Sequence, residues 1–438
     1  MKDIQVGLIG FGTVGSGVAE VITDNAAVIE QRLGGKLKLK WIADRDIGAG
    51  RFKGIDKAIL TSDIDKVLSD PEVDIIVELI GGYTPAKEFI LKAIKNGKHV
   101  VTANKALLSK DGREIFSAAV EAGVDFGFEA SVGGGIPIIR AMREGFTANR
   151  FLSIVGIMNG TCNYILSKMS DEGLGFEEVL KDAQEKGYAE ANPHFDIEGI
   201  DSAHKIAILA SIAYGGYVDI NKVYTEGISN IAPVDIVFAR EFGYRIKLLA
   251  IAKESNGEIE VRVHPTMIPE LNPMSSVNGV LNAIEVKGDM VGDTIHVGSG
   301  AGSLPTASAV VGDIIEIGRN IIYGGVGRVK PLSYIPAALS EVKVKGIEEI
   351  DSAYYLRFSV IDKPNVLSKL SGILGGCSIS IASVIQKGRN KKGMVPLVIM
   401  THLAKERDIR KAVSEIDILD VVCDKTAIIR IEGDSHLS

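Results

Sequence analysis

The sequence has few cysteines and no long apolar segment. Its three cysteines, Cys162, Cys377 and Cys423, lie far apart and form no CxxC or Cys/His cluster. This spacing argues against a disulfide framework or a structural zinc site. No segment offers the ~18 consecutive apolar residues of a transmembrane helix, and the N-terminal residues enter a strand pattern without a signal-peptide cleavage site. We therefore expect a soluble, cytoplasmic protein that does not bind membranes.

A basic surface is also missing. The 49 basic residues are outnumbered by 56 acidic ones and form no basic run, so we expect no nucleic-acid partner. The 438 residues are 46% hydrophobic and 24% charged, which is ordinary for a globular protein. At roughly 100–200 residues per domain, this length predicts two to four domains.

The first third of the chain alternates strand and helix patterns. Apolar runs at residues 4–9, 37–43, 75–80, 99–103 and 124–128 are separated by helical stretches such as 85–96 and 113–122. Gly97 and Gly123 end these two helices immediately before the next strand, as is typical of βαβ units. The pattern predicts an α/β fold with a doubly wound parallel sheet of the Rossmann type over residues 1–135.

From about residue 151 the pattern changes to a mixture of helices and strands. We predict a central α+β domain for substrate binding and dimerisation over residues 136–304, with strands near 152–158, 245–252, 259–264, 280–286 and 294–297. A helix near 306–317 could return to the first domain, so we assign residues 305–325 to it. Residues 326–350 read as a connector. Residues 351–438 show the order βαββαβ.

A glycine motif follows the first strand directly. The residues Gly10, Phe11, Gly12, Thr13, Val14 and Gly15 form GxGxxG and open the amphipathic run 14–29. In a dinucleotide-binding loop the first glycine permits a tight turn, the second admits the pyrophosphate, and the third lets helix and strand pack closely. The context predicts that this loop binds NAD or NADP, with the phosphates at the helix N-terminus.

The acidic residue expected after the second strand is Asp44. It lies 29 residues beyond Gly15, further than the usual ~20. Asp44 would accept a hydrogen bond from a ribose hydroxyl, whereas the adjacent Arg45 could bind a 2′-phosphate. Because both are present, the sequence leaves the choice between NAD and NADP open. A solvated loop arginine is an equally good interpretation of Arg45.

A carboxylate and a lysine share one face of a predicted helix. Asp201 and Lys205 are four residues apart, and the segment after Lys205 is almost wholly apolar, which indicates that the helix is buried. Burial lowers the pKa of a lysine, and a neighbouring carboxylate opposes that shift. Lys205 is therefore a candidate proton donor, and a structural salt bridge is the alternative.

Four motifs together resemble the homoserine dehydrogenase family. They are EASVGGGIP at 129–137, GIMNGTCNY at 156–164, GYAE at 187–190, and Asp196 followed by GID at 199–201 and Lys205. The resemblance runs from the first glycine motif to about residue 320. It implies NAD(P)-dependent interconversion of L-homoserine and L-aspartate 4-semialdehyde, in methionine, threonine and isoleucine biosynthesis. The alternatives are another lysine-dependent NAD(P) oxidoreductase of amino-acid metabolism and an amino-acid sensor without catalysis.

The resemblance also assigns roles to residues. It implies that Lys205 is the acid/base residue, that Glu190 and Asp201 bind homoserine, and that Gly187 lies near the nicotinamide. Lys105 follows a strand at the carboxyl edge of the sheet, and the matching lysine contacts both cofactor and substrate. Gly302 belongs to a loop that matches a cofactor-contacting loop.

Three further inferences about substrate and metal follow. The substrate's ammonium group calls for carboxylates, and its carboxylate could be held by backbone N–H groups of Gly160 and Thr161 at a helix start. We place Tyr188 and Asp196, from the same motifs, beside them. The resemblance further implies a sodium ion held by the carbonyls of four loop residues, Glu129, Val132, Gly134 and Ile136. A hinge between domains would explain the same glycine-rich loop.

The C-terminal unit resembles an ACT domain. Ser359–Leu367 matches the strand–turn–helix of such domains, although Asn365 stands where glycine is usual; asparagine tolerates the left-handed conformation. The resemblance implies an amino-acid effector at this turn, and a purely oligomerising module is the alternative. For the whole chain we expect a homodimer or homotetramer.

Overall fold

A computed structural model describes residues 2–48, 52, 54–387, 393–433 and 437. The N-terminal part is a six-stranded parallel sheet in the order β3-β2-β1-β4-β5-β6. Its strands are β1 (Ile4–Ile9), β2 (Leu37–Ala43), β3 (Leu60–Thr61), β4 (Ile75–Glu78), β5 (His99–Thr102) and β6 (Phe126–Gly127). The predicted doubly wound sheet is therefore confirmed, and its strand order reverses between β1 and β4, where such folds bind ligands.

Helices cover both faces of this sheet. They are α1 (Thr13–Asp24), α2 (Ala26–Leu33), α3 (Ile64–Ser69), α4 (Ala86–Lys95) and α5 (Lys105–Ala122). The amphipathic run 14–29 is divided between two helices, because α1 ends at Asp24 and α2 begins at Ala26. Helix α5 also begins eight residues before the predicted 113, where the side chain of Asn104 caps it by accepting from Leu107 N at 3.1 Å.

The central part follows a short helix α6 (Ile138–Arg140). Its helices α7 (Gly160–Glu172), α8 (Phe176–Glu185), α9 (His194–Ile197), α10 (Ile200–Tyr214) and α11 (Pro233–Glu241) accompany the strands β7 (Phe151–Ile157), β8 (Tyr224–Thr225), β9 (Tyr244–Ser255), β10 (Glu258–Pro269), β11 (Leu281–Gly288) and β12 (Gly292–Ser299). The buried helix predicted around Lys205 is α10, in which thirteen successive residues, 201–213, are buried.

The chain then returns to the N-terminal sheet. Helix α12 (Ser303–Tyr323) packs on α1, and Ala307 and Val310 join the same buried cluster as Ile4 and Val18. The packing of α12 on α1 agrees with the expected return near 306–317, and the assignment of residues 305–325 to the first domain stays a prediction. No helix in the described part of the chain combines the length and apolar character that crossing a membrane requires.

The C-terminal unit has the predicted order, with one extra short strand. It contains β13 (Asp351–Ile361), α13 (Val366–Gly376), β14 (Ile381–Gln386), β15 (Met394–Thr401), β16 (Ala404–Lys405), α14 (Glu406–Ile416) and β17 (Val422–Ile431). The sequence did not predict that β17 pairs in parallel with β10, through Thr266 with Arg430 and Met267 with Ile431. One mixed sheet, β12-β11-β7-β9-β10-β17-β13-β15-β14, therefore runs through the central and C-terminal parts.

Candidate active site

The three motif glycines have distinct local geometries. Gly10 has a φ of +98°, which favours glycine in this tight turn. A Cβ added to Gly15 would lie 2.2 Å from the carbonyl oxygen of Gly10, whereas one added to Gly12 would meet nothing within 4 Å. Helix and turn therefore pack closely at Gly15, and open space faces Gly12, as a pyrophosphate at the N-terminus of α1 requires.

Asp44 and Arg45 lie at the end of β2 beside this loop. The carboxylate of Asp44 accepts a hydrogen bond from Phe11 N at 2.8 Å, so it holds the glycine loop in place. The ring of Phe11 stacks on Phe52 at a centroid distance of 4.7 Å. Arg45 is exposed. The roles of both side chains at the ribose end of a dinucleotide stay predictions.

A cavity of about 610 Å³ extends from the glycine loop into the central part. It brings together Val14 from the loop, Gly302 from the start of α12, and Gly134 from the glycine-rich segment. All eight residues predicted for catalysis or substrate binding also line it, namely Lys105, Gly160, Thr161, Tyr188, Glu190, Asp196, Asp201 and Lys205. Gly187 lies on the same wall.

At the inner end of the cavity, Asp201 lies between two lysines. Its Oδ2 accepts from Lys205 Nζ at 2.8 Å, and its Oδ1 forms an ion pair with Lys105 Nζ at 2.5 Å. Lys205 also donates to the carbonyl of Met158 at 2.6 Å. Lys205 and Asp201 are buried, whereas 34% of the Lys105 side chain is exposed. The proposed proton donor and its carboxylate are thus shielded from solvent, whereas Lys105 reaches Asp201 from a partly exposed position.

The environment lowers the pKa of both Lys205 and Asp201, but for different reasons. Burial lowers the pKa of Lys205, and the charge of Lys105 adds to this effect, while Asp201 opposes it. Burial alone would raise the pKa of Asp201, but the charges of Lys205 and Lys105 bring it below its usual value. Asp201 is therefore ionised at neutral pH, and Lys205 gives up its proton more easily than an ordinary lysine.

Asn159 organises the carboxylates. Its Nδ2 donates to Asp196 Oδ1 at 2.8 Å and to Asp201 Oδ2 at 3.0 Å, and its Oδ1 caps α7 by accepting from Cys162 N at 2.8 Å. Asn159 belongs to a motif that the sequence analysis quoted, yet we had assigned it no role. Its position between a strand end and a helix start was the available signal.

The N-terminus of α7 points its first residues into the cavity. Gly160 and Thr161 line the wall, and Thr161 Oγ1 donates to the carbonyl of Tyr188 at 2.6 Å. The Tyr188 ring lies edge-on to Tyr164 at 5.0 Å. Glu190 is exposed at the cavity mouth. A positively charged group of a ligand would therefore fit near Glu190, and a carboxylate would fit at the start of α7.

Comparisons with known proteins identify the family. Two family models match the chain: "Homoserine dehydrogenase, NAD binding domain" over residues 10–129, and "Homoserine dehydrogenase" over residues 137–315. The homoserine dehydrogenase of Pseudomonas aeruginosa is 47% identical over 99% of both chains. This chain belongs to the homoserine dehydrogenase family. It is therefore an NAD(P)-dependent oxidoreductase that acts on homoserine and aspartate semialdehyde, and the two alternatives are not supported.

Solved structures agree with this assignment. A homoserine dehydrogenase from Thiobacillus denitrificans superimposes with a TM-score of 0.93 at 47% identity, covering 99% of both chains. A hyperthermophilic archaeal homoserine dehydrogenase in complex with NADPH matches 72% of this chain and 98% of its own length, with a TM-score of 0.62 at 27% identity. The open space at Gly12 and the wall at Gly302 fit a dinucleotide in this chain.

The predicted sodium loop has a packing role of its own. The Glu129 carboxylate accepts from Ile139 N and Arg140 N, both at 2.8 Å, and burial together with nearby Asp313 raises its pKa to about 8. A Cβ on Gly134 would lie 2.6 Å from the carbonyl of Gly300. Close packing against the segment before α12 is therefore one reason for glycine at position 134.

Proposed function

We propose that Lys205 is the general acid of the reaction. NAD(P)H, when bound, supplies the hydride that reduces the aldehyde carbon. The carbonyl oxygen then needs a proton, and an uncompensated alkoxide in a buried cavity is unfavourable. Lys205 Nζ carries three hydrogens, of which Met158 O and Asp201 Oδ2 accept two. The third is left for the substrate oxygen, and this buried, cavity-lining amine is the observation that carries the proposal.

The remaining cavity residues would bind the amino-acid part of the substrate. Glu190, Asp196 and Asp201 would receive the ammonium group, and the N–H groups of Gly160 and Thr161 the carboxylate. Lys105 now pairs with Asp201, but its partly exposed side chain can turn toward the substrate or cofactor once the ammonium arrives. Tyr188 would close the substrate end of the cavity.

Substrate recognition can be tested with an analogue that lacks the ammonium group. The enzyme should reduce L-aspartate 4-semialdehyde with a much higher kcat/KM than succinate semialdehyde. Glu190→Gln should lower kcat/KM for the first substrate and leave the second unchanged, because only the first offers a partner to the carboxylate.

Glu185→Gln is the matched control, since Glu185 is an exposed carboxylate at the end of α8 and does not line the cavity. It should leave both rates unchanged. Equal losses for both substrates in Glu190→Gln would remove Glu190 from ammonium binding.

For the cofactor, we propose contacts from Gly10 to Gly15, Asp44, Arg45, Lys105, Gly187 and Gly302. Gly12→Ala tests this placement, because the added methyl meets no protein atom within 4 Å yet occupies the space proposed for the pyrophosphate. It should weaken NAD(P)H binding without lowering thermal stability. Unchanged binding would place the cofactor elsewhere.

A sodium ion at the carbonyls of Glu129, Val132, Gly134 and Ile136 is also proposed. Carbonyl oxygens suit a hard monovalent cation, and here the Glu129 and Ile136 carbonyls each accept one N–H, from Val132 at 3.4 Å and Ile138 at 2.8 Å, which leaves a lone pair on each. The ion would stiffen the loop against the cavity. Sodium chloride should then raise the Tm above that in choline chloride of equal ionic strength, and equal Tm values would argue against the site.

The C-terminal turn is proposed as an ACT-like effector site. Asn365 has a φ of 70° at the start of α13, and the turn 362–366 with Leu367 borders a cavity of about 780 Å³. Its first-turn N–H groups could receive an amino-acid carboxylate. Threonine or methionine should bind by calorimetry and change activity. Leu367→Trp should abolish that response but not basal activity, and a full-length enzyme indifferent to both would favour a purely structural unit.

We further propose the chain's organisation and setting. Residues 1–135 with 305–325 form the cofactor unit, 136–304 the substrate and dimer unit, 326–350 the connector, and 351–438 the regulatory unit. β12 lies at the sheet edge with Ile295 36% and Val297 52% exposed, which suits a homodimer or homotetramer. Val297→Lys should lower the mass measured by light scattering.

All three cysteines are unpaired, which suits the cytoplasm.

A further inference from the structure

One buried amide in the active-site cavity has no partner. Asn282 is 1% exposed and lines the cavity that contains Lys205. Among the residues that the structure describes, none hydrogen-bonds its Oδ1 or its Nδ2. Buried polar groups in proteins are nearly always paired, and an unpaired one is destabilising. A donor and an acceptor left open together indicate a partner that binds in the cavity.

The position of Asn282 narrows the choice of partner. It lies at the start of β11, beside Ala283, which pairs with Ile157 of β7. Ile157 is followed by Met158, whose carbonyl accepts a hydrogen bond from Lys205. On its other side Asn282 covers Gly300, where a Cβ would lie 2.1 Å from its Cγ. The amide therefore sits between the proposed proton donor and the segment that leads into α12.

That segment is tied to the dinucleotide loop. Ser303 Oγ, at the first residue of α12, donates to the carbonyl of Thr13 at 2.7 Å. A dinucleotide that begins at the glycine loop and reaches the substrate must bring its nicotinamide end past Gly302. Because Asn282 packs on Gly300 and lines the same cavity as Lys205, we expect it to lie near that end of the cofactor.

The chemistry of the open atoms selects among the ligands of this cavity. In aspartate semialdehyde the carboxylate and the aldehyde only accept hydrogen bonds, and the ammonium only donates. The hydroxyl of homoserine can do both, but the proposed reaction places that oxygen at Lys205. The nicotinamide carboxamide both donates and accepts, as an asparagine amide does. We propose that Asn282 binds the nicotinamide carboxamide through an amide–amide pair and thereby fixes the orientation of the ring. This inference rests on the proposed placement of the cofactor.

A second buried asparagine in the same region provides a control. Asn163 is also 1% exposed, but its Nδ2 donates to the carbonyls of Val277 at 3.0 Å and Leu281 at 3.1 Å, and its Oδ1 accepts from Lys247 at 3.1 Å. Both its amide nitrogen and its amide oxygen therefore have partners inside the protein. Asn163 is therefore structural, whereas Asn282 is available to a ligand.

The test compares NADPH with its 3-acetylpyridine analogue, in which a methyl group replaces the amide nitrogen. Calorimetric dissociation constants of the binary complexes are measured for wild type, Asn282→Leu, Asn163→Leu and Gly12→Ala. Wild type should prefer NADPH by about 10-fold, as expected for hydrogen bonds made only by the carboxamide. Asn282→Leu should lose most of this preference and should not lower the Tm of the free enzyme. Asn163→Leu should lower the Tm and keep the preference.

An unchanged preference in Asn282→Leu, or equal weakening of both cofactors, overturns the proposal. If Asn282→Leu does not fold, Asn282→Ala provides the same comparison. Gly12→Ala distinguishes an error in the proposed cofactor site from an error in the role of Asn282. If it leaves both affinities unchanged, the proposed cofactor site is wrong; if it weakens both while Asn282→Leu keeps the preference, only the role of Asn282 is wrong.

Discussion

Two clusters of buried charges in this molecule use similar residues for different ends. The active-site cluster, Lys105, Asp201 and Lys205, lines a cavity. The second cluster joins Arg430 of β17 to Glu406 of α14 and to Glu226 beside β8. Arg430 is 2% exposed and Glu406 is fully buried, so burial of charge does not distinguish the two clusters.

Their geometries do differ. Arg430 holds Glu406 with two parallel hydrogen bonds, Nε to Oε2 at 2.8 Å and Nη2 to Oε1 at 2.5 Å, and donates to Glu226 at 2.9 Å. Burial would lower the pKa of Arg430, but bonding to Glu406 raises it above its usual value. The pKa of Lys205 is instead lowered by burial. The functional cluster differs from the structural one in two ways: it faces a cavity, and its Lys205 loses a proton more readily than an ordinary lysine.

The largest expected effect is on the functional side of this comparison. Lys205→Ala should lower kcat by about 10²–10⁴-fold, the usual contribution of general acid catalysis, with unchanged cofactor affinity. Steady-state kinetics and calorimetry measure the two quantities. A variant that melts early yet turns over near the wild-type rate would mean that Lys205 is structural, like Arg430.

Arg430→Met tests the structural side. It leaves Glu406 buried without its main partner, which should destabilise the fold by about 3–5 kcal/mol, as measured by urea denaturation. The kcat of the folded fraction should stay near wild type. The double variant Arg430→Met/Glu406→Met should recover most of the stability, because it removes the unpaired charge; no recovery would contradict this account of the cluster.

Asp201→Asn tests whether the charge of Asp201 controls the pKa of Lys205. Aldehyde reduction needs protonated Lys205, so the rate falls as pH rises through its pKa. Asp201 and Asp196 raise that pKa, against burial and Lys105. Losing the charge of Asp201 should therefore move the alkaline limb of the pH–rate profile to lower pH by roughly one unit or more and raise the KM for the semialdehyde. The same profile in both proteins would remove Asp201 from control of Lys205.

The smallest effect is expected at the exposed end of the cofactor site. Arg45 is exposed, so its pairing with a 2′-phosphate is screened by water. Arg45→Ala should weaken NADPH by about 2–5-fold, within the range of exposed ion pairs, and leave NADH unchanged. Equal effects on both cofactors would identify Arg45 as a solvated loop residue.

Local patterns in the sequence were enough to predict much of the fold. The apolar runs at residues 4–9 and 37–43 coincide with β1 and β2, and the glycines that end helices were placed correctly because their conformations are set locally. The interruption at Asn25 was missed, since the apolar period continues through it. The strand β3 and the helix α11 were also missed. Pairing with β2 defines β3, and tertiary packing rather than sequence periodicity defines α11.

Contacts between distant segments explain what could not be predicted in the site. Asp201 and Lys205 are neighbours on one helix, so their pairing could be inferred from spacing. The pairing of Lys105 with Asp201 and the bridge made by Asn159 each join segments far apart in sequence. The open amide of Asn282 could not be predicted either, because distant segments form the cavity that it lines. The pairing of β17 with β10 belongs to the same class and makes the C-terminal unit continuous with the central sheet.

Chemical rescue of Lys205→Ala tests the central claim most directly. Removal of the side chain leaves space for a small amine in the cavity of about 610 Å³. Aldehyde reduction by Lys205→Ala should rise saturably with added ethylammonium, and amines of lower pKa should act at lower pH. A folded variant that binds cofactor normally but shows no rise with any small amine would contradict the assignment of Lys205 as the proton donor.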